Sequence, residues 1–436
     1  MTALVIRGAT LIDPSGERRA DVAIDPSGLI VAVEAEIDSA GMGSDVRVID
    51  AAGCVVTPGF VDLHSHLREP GKEEAETIES GSRCAALGGY TAILAMPNTT
   101  PATDSAAVVR QVLELGAASL VDVHTSGAIT MGRRGDALAP MGEMAALGVR
   151  VFTDDGTGVQ DDRLMRRAME YALGLRGRGL PVLLAQHCET ESLAEGGHMH
   201  EGEWSSRLGI AGQPAESEEL MVMRDLALAK LTGAVVHFQH LSTAGSVELV
   251  RRAKAAGLPC TAEATTHHFT LTHAECASYD ATFKVNPPLR TADDVAAIKA
   301  GFADGTIDCI ATDHAPHTAE SKEAPFDQAP PGMLGLETAM ALALTELNLP
   351  IAKVFDLLSW KPAQILGISA THGGPIVVGA PANLCVVDPA ADWVVDPAAS
   401  ASRSRNNPYR GRAVRGRVRH TVVHGEAVVI DGEAQR

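Results

Sequence analysis

The chain has 436 residues, of which 45% are hydrophobic and 21% charged, and it carries a formal net charge of −19. That length and composition describe a folded protein of more than one domain and exclude a mainly disordered chain. The acidic balance excludes nucleic acid and anionic membrane as principal partners, because both would repel it.

The first 56 residues read as short strands at 4–7, 22–24, 29–33 and 46–49, broken by Asp-Pro, Ser-Gly and Gly-rich turns. A different pattern follows: strand 60–64, helix 73–87, strand 91–96, helix 106–115, strands 121–128 and 149–152. It continues with helix 163–174, strand 182–186, helix 216–231, and strands 235–239, 261–264 and 307–311. Repeated strand–helix units over roughly 250 residues predict an α/β fold, a (β/α)8 TIM-type barrel. The alternative of a doubly wound sheet lacks its Gly-rich fingerprint after an early strand. The strand-and-turn texture returns at 383–387 and 418–430. A small β-sandwich domain formed by both termini, residues 1–56 and 375–436, is therefore expected beside a barrel of residues 57–374.

Seven widely spaced cysteines without a C-x-x-C pair read as reduced thiols and predict a cytoplasmic protein. No secretory signal and no membrane span is expected. The arginine-rich stretch from Arg403 to Arg419 reads as a solvated or subunit-contacting face.

The chemistry is concentrated where apolar runs end. His64 and His66 stand two apart on a strand, so both imidazoles share one face, with Arg68 two residues further on. Other runs end in Asn98, Asp154-Asp155, His187, His240 and Asp313-His314. Barrel enzymes place their chemistry at such strand ends. Four histidines and two aspartates exceed one tetrahedral zinc and suit two metals bridged by a carboxylate, a role open to Asp154 or Asp155. The chemistry implied is attack of metal-activated hydroxide on a carbonyl, with Asp313 as general base and then acid.

These segments, with Met96-Pro97-Asn98-Thr99, His187-Cys188-Glu189, Lys284-Val285-Asn286-Pro287-Pro288, Ala311 to His317 and Pro330-Pro331-Gly332, resemble bacterial type I dihydroorotases of the amidohydrolase superfamily. The resemblance covers the chain in order. It implies reversible cyclisation of N-carbamoyl-L-aspartate to L-dihydroorotate in pyrimidine biosynthesis, with one or two Zn2+ per subunit. It assigns His64, His66 and Asp313 to one zinc, His187 and His240 to the other, and Asp155 to the bridge. Asp313 is also the implied catalytic acid/base. Arg68, Asn98 and His317 would meet the substrate carboxylate beside His66, and Asn286, Pro331 and Gly332 would complete the ring pocket. Many relatives bridge the metals with a carboxylated lysine, and here only Asp154-Asp155 is available. A homodimer and a complex with aspartate carbamoyltransferase are compatible with the resemblance.

Other histidines are set aside. His237 is assigned to the core, His124 and His267-His268 to packing or surface, and the His198-x-His200 pair to a solvated loop. Cys188 reads as a buried inert thiol, and residues 316–331 as a loop over the site. The rival readings are a hydantoinase or allantoinase, and a non-catalytic dihydroorotase-like scaffold for the transcarbamoylase. Arg68 with Asn98 favours a substrate bearing a carboxylate, and filled ligand positions oppose the scaffold.

Overall fold

The computed structural model describes residues 3–38 and 46–435. Eight strands form its centre: Phe60–Ser65, Tyr90–Ala95, Asp122–Thr125, Val151–Phe152, Leu183–Gln186, Val236–Phe238, Cys260–Thr265 and Cys309–Ala311. They pair in sequence order in two parallel runs. The parallel bridges Gly127–Phe152 and Ser65–His314 join the two runs at both edges, so the ladder returns on itself. The first two strands are buried at every position. Burial on both faces explains why these segments read as continuous apolar runs rather than alternating ones.

Helices on the outside cover the strands, and their ends follow local chemistry. Asp161 accepts from the Leu164 N–H at the start of helix Asp162–Arg176. Helix Glu216–Thr232 stops at Gly233, whose φ of 82° is left-handed. Helices Ala244–Ala255 and Ala292–Asp304 complete strand–helix units that the sequence pattern had left as bare strands. The helix expected from residue 73 begins at Ile78 instead. Thr77 and Ser80 form a reciprocal capping box there, which ends the preceding turn.

The terminal strands make two further sheets. One has the order Glu433–Ala434, Glu426–Ile430, Ala413–Val423, Leu384–Val394, Val55–Pro58, Thr10–Asp13, Gly16–Arg19. Its two halves meet where Leu384 to Val387 run antiparallel to Pro58 to Val55. The other sheet orders Ile30–Glu34, Asp21–Ile24, Leu4–Arg7 and Arg47–Asp50. A common apolar cluster, including Ile6, Leu11, Val22, Ile24, Val56 and Val386, lies among these strands. The run expected at 418–430 is a hairpin that turns at Gly425, with φ of 83°. Among the described residues no helix is long and apolar enough to cross a membrane.

The first and eighth strands are tied by Asp62, which is fully buried. Its carboxylate accepts the Thr312 N–H at 2.9 Å, the Thr312 hydroxyl at 2.6 Å and the Ser65 hydroxyl. Burial pushes its pKa up to about 6 against these hydrogen bonds. Asp62→Ala leaves the Thr312 N–H and the Ser65 hydroxyl unpaired and the Thr312 hydroxyl with only His64 O at 3.2 Å, and is expected to lower unfolding free energy by about 2–4 kcal/mol, read by equilibrium denaturation.

Candidate metal and substrate site

All six residues expected to hold metal lie on one end of the strand circuit. His64 sits on strand Phe60–Ser65 with His66 just beyond it, while Asp155, His187, His240 and Asp313 each follow the end of a later strand. Each is buried, with at most 6% exposure. His240 and Asp313 have φ values of 33° and 43°, and Arg68 one of 61°. Non-glycine residues avoid this region unless their surroundings impose it, and such positions cluster at functional sites.

Asp155 is the centre of the arrangement. Its Oδ1 lies 3.2 Å from His64 Nε2 and 3.7 Å from both His187 Nδ1 and His240 Nε2. Its Oδ2 lies 3.6 Å from His66 Nε2 and 3.3 Å from Asn98 Nδ2. Asp313 Oδ1 is 3.0 Å from His66 Nε2 and 3.6 Å from His64 Nε2. The neighbouring Asp154 is consumed elsewhere: it accepts the Ile129 and Thr130 N–H groups at 2.8 and 3.0 Å and the Thr130 hydroxyl. Geometry thus separates the two aspartates that spacing could not.

The donor set fits a metal. Ligand atoms of His64, His66 and Asp313 lie within 4.8 Å of one another, and so do those of His64, Asp155 and His240. His187 lies outside both groups but approaches His240, Nδ1 to Nε2, at 2.9 Å. Buried His64 Nε2 and His240 Nδ1 have no hydrogen-bond partner among the described residues. Burial opposes charge on the His64 imidazole, but Asp155, Asp313 and Glu263 hold it well above its ordinary pKa. Asp155 and Glu189 likewise raise His187 to about 9 against burial. The His64, His66 and His240 imidazoles outweigh burial at Asp313 and keep its carboxyl below the usual range.

A cavity of about 150 Å³ opens onto this cluster, lined by every residue expected to meet substrate: His66, Arg68, Asn98, Asn286, His317, Pro331 and Gly332. Burial draws the Arg68 guanidinium down to about 10, so it stays cationic at neutral pH. Arg68 Nε donates to Pro316 O at 3.1 Å, and Nη2 lies 3.3 Å from His317 Nε2. Burial and the Arg68 charge push His317 down to about 2, so its imidazole is neutral. Gly332 is required by close approach: a Cβ there would lie 2.8 Å from both the Ala315 Cβ and His317 Nε2. Asn98 bonds His66 Nδ1 at 2.8 Å through Oδ1, so it braces a ligand as well as lining the cavity.

Several working residues escaped the sequence reading. Glu263 receives His64 Nδ1 at 2.9 Å and His237 Nε2 at 3.0 Å, which turns His64 Nε2 toward Asp155. A carboxylate at the centre of the buried strand Cys260–Thr265 is the signal. His237 is buried, as expected, yet it serves this pair rather than generic packing. Glu189 Oε2 accepts from Asn286 Nδ2 at 2.8 Å. Asn406 donates to Ala315 O at 2.9 Å and Gly332 O at 3.1 Å, so the distant C-terminal segment props the cavity wall. His200 is not solvated: it is buried, with Nδ1 3.1 Å from Arg290 Nη1, because the short strand Met199–His200 folds inward against Gly212–Gln213. His267 and His268 are buried too, and His198 is half-buried.

With this geometry in view, comparison places the chain. The family described as dihydro-orotase-like matches residues 53–246. The dihydroorotase of Streptomyces coelicolor is 47% identical over 440 residues, covering 99% of this chain and all of its own. Those of Pelotomaculum thermopropionicum and Mycobacterium tuberculosis are each 46% identical, covering 98–99% of this chain and 99% of theirs. Among solved structures, the L-hydantoinase of Arthrobacter aurescens superposes with a TM-score of 0.87 at 25% identity, covering 100% of this chain and 98% of its own. The dihydropyrimidinase of Brevibacillus agri does so at 0.85 and 22%, covering 99% and 96%. The fold is therefore that of hydantoinase-type proteins. Within that class, the chain belongs to the dihydroorotase family.

Because Glu263 fixes His64, Glu263→Gln is expected to weaken metal binding about 10- to 100-fold, measured by competition with a chromogenic chelator. Unchanged affinity would remove Glu263 from the site.

Proposed function

We propose that this chain is a dihydroorotase, a metal-dependent cyclic amidohydrolase that interconverts N-carbamoyl-L-aspartate and L-dihydroorotate in pyrimidine biosynthesis. The observation that carries the reading is a buried cationic arginine, Arg68, on the wall of the cavity that opens onto the His/Asp cluster. That arginine suits a cyclic amide bearing a carboxylate, which plain hydantoins lack.

His64, His66 and Asp313, His187 and His240, and Asp155 between them would hold one or two zinc ions. When bound, the metal supplies an acidified water as nucleophile and a Lewis acid for the amide carbonyl. Arg68 and neutral His317 hold the substrate carboxylate, beside Asn98. Asn286 and the turn at Pro331 and Gly332 enclose the ring. Asp313 accepts the proton released as the water oxygen adds to the carbonyl carbon. It then delivers that proton to the ring nitrogen as the C–N bond breaks, leaving a second carboxylate. In reverse, the ureido nitrogen gives its proton to Asp313 and closes on the carboxyl carbon, and water departs. Ring closure consumes a proton overall, so acid favours dihydroorotate.

The finer architecture follows the same reading. The strand circuit with its outer helices is assigned as a (β/α)8 barrel of residues 57–374. The two terminal sheets are assigned as a β-sandwich of residues 1–56 and 375–436, of which residues 1, 2, 39–45 and 436 lie outside the described part. Seven unpaired cysteines support a cytoplasmic location. Arg403, Arg405, Arg410, Arg415 and Arg417 are exposed and form the candidate face for a second subunit or for aspartate carbamoyltransferase.

Purified protein is expected to carry zinc and to consume dihydroorotate, followed by ultraviolet absorbance, with turnover abolished by chelator. Bound zinc with hydrolysis of hydantoin instead would sink the assignment. Arg68→Met is expected to raise KM for dihydroorotate about 30-fold or more with metal content unchanged, since it removes the buried partner of a carboxylate.

A further inference from the structure

Residues 316–332 carry His317, Pro331 and Gly332 onto one wall of the cavity, and residues 281–286 lead to Asn286 on another. Lys322 stands between them, at the end of the short helix Ala319–Lys322 that follows His317. Its Nζ donates to Ala281 O at 2.9 Å, Lys284 O at 3.2 Å and Pro330 O at 2.9 Å. An ammonium has three N–H donors, so all are used. Among the described residues no carboxylate forms an ion pair with it, and its hydrogen bonds go to backbone carbonyls. Lys284 O also accepts the Gly332 N–H at 2.9 Å, so two bonds close the same seam. Next along the chain, Pro331 O faces His317 Nε2 at 2.8 Å.

We propose that Lys322 is a positioning residue that sets substrate affinity by clipping the His317–Gly332 wall to the Ala281–Asn286 wall. It touches neither substrate nor the metal ligands. The ligands stand at strand ends whose bonds do not involve it, whereas Asn286, His317, Pro331 and Gly332 stand on the two segments it joins. Loss of the clip lets these walls part, so the ring and its carboxylate bind weakly while the reacting groups keep their places. The inference rests on the dihydroorotase reading for its kinetic arm alone.

The test compares wild type, Lys322→Met, which keeps the aliphatic stem without donors, and Lys322→Arg, which keeps donors. Lys322→Met is expected to raise KM for dihydroorotate tenfold or more, with kcat within threefold and zinc content and Tm unchanged; Lys322→Arg recovers at least part of the affinity. Hydrogen exchange provides an arm independent of substrate: amides of residues 281–286 and 316–332, Gly332 above all, exchange faster in Lys322→Met and the strand circuit does not. Unchanged exchange, an unchanged KM, or a joint fall of kcat, Tm and zinc would overturn the clip. Faster exchange in a protein whose wild type leaves dihydroorotate untouched would instead overturn the functional reading and keep the clip.

Discussion

The seam between the first and eighth strands is the constraint on which the site depends. It brings His64 and His66 against Asp313, about 250 positions later in the chain, and holds them by bonds that cannot slip. The His66 N–H donates to His314 O at 2.8 Å, and Asp62 pins Thr312 on the adjoining turn. A slip of one residue at this seam would reverse the faces of the imidazoles. Glu76 strengthens the closure from outside, receiving His314 Nε2 at 3.2 Å, the Arg403 N–H at 3.1 Å and the Ser80 and Ser402 hydroxyls.

Closure creates an electrostatic difficulty of the kind that a bound cation relieves. Four imidazoles and two carboxylates share a buried volume. Metal ligation needs neutral imidazoles and ionised carboxylates, so binding couples to proton release and to the rigidity of the strand ends. Glu263 and Asn98 act on that balance by fixing which nitrogen of His64 and His66 faces inward. Left-handed backbone at His240 and Asp313 shows that the surrounding bonds outweigh local preference.

The walls of the cavity obey a different rule. They are loops, and their shape comes from backbone carbonyls and amides rather than from a ladder. Asn406 supplies those bonds from the C-terminal segment, and Lys322 and the Gly332 N–H supply them from the loop itself. The C-terminal segment therefore reaches the site through Asn406 as well as adding strands to the terminal sheet. The His/Asp cluster thus rests mainly on strand ends and the cavity walls mainly on loops, with Asn98 and His66 belonging to both.

The sequence by itself determined the eight apolar runs and the polar residues that end them, because a strand's period and its terminus are local properties; the cavity residues Asn286, His317, Pro331 and Gly332 end no such run and came from the family resemblance alone. Its terminal β-texture likewise announced sheets at both ends of the chain. Pairing over long separations was not legible. Nothing local says that Glu263 meets His64 from 199 positions away, that Asn406 props Gly332, or that Arg290 draws His200 inside. Nor could spacing separate Asp154 from Asp155, since neighbours on a strand point to opposite faces and only the fold decides which face is inside. Tertiary structure decided these points, because buried polar groups must find partners and closure of the strand circuit fixes which partners are within reach.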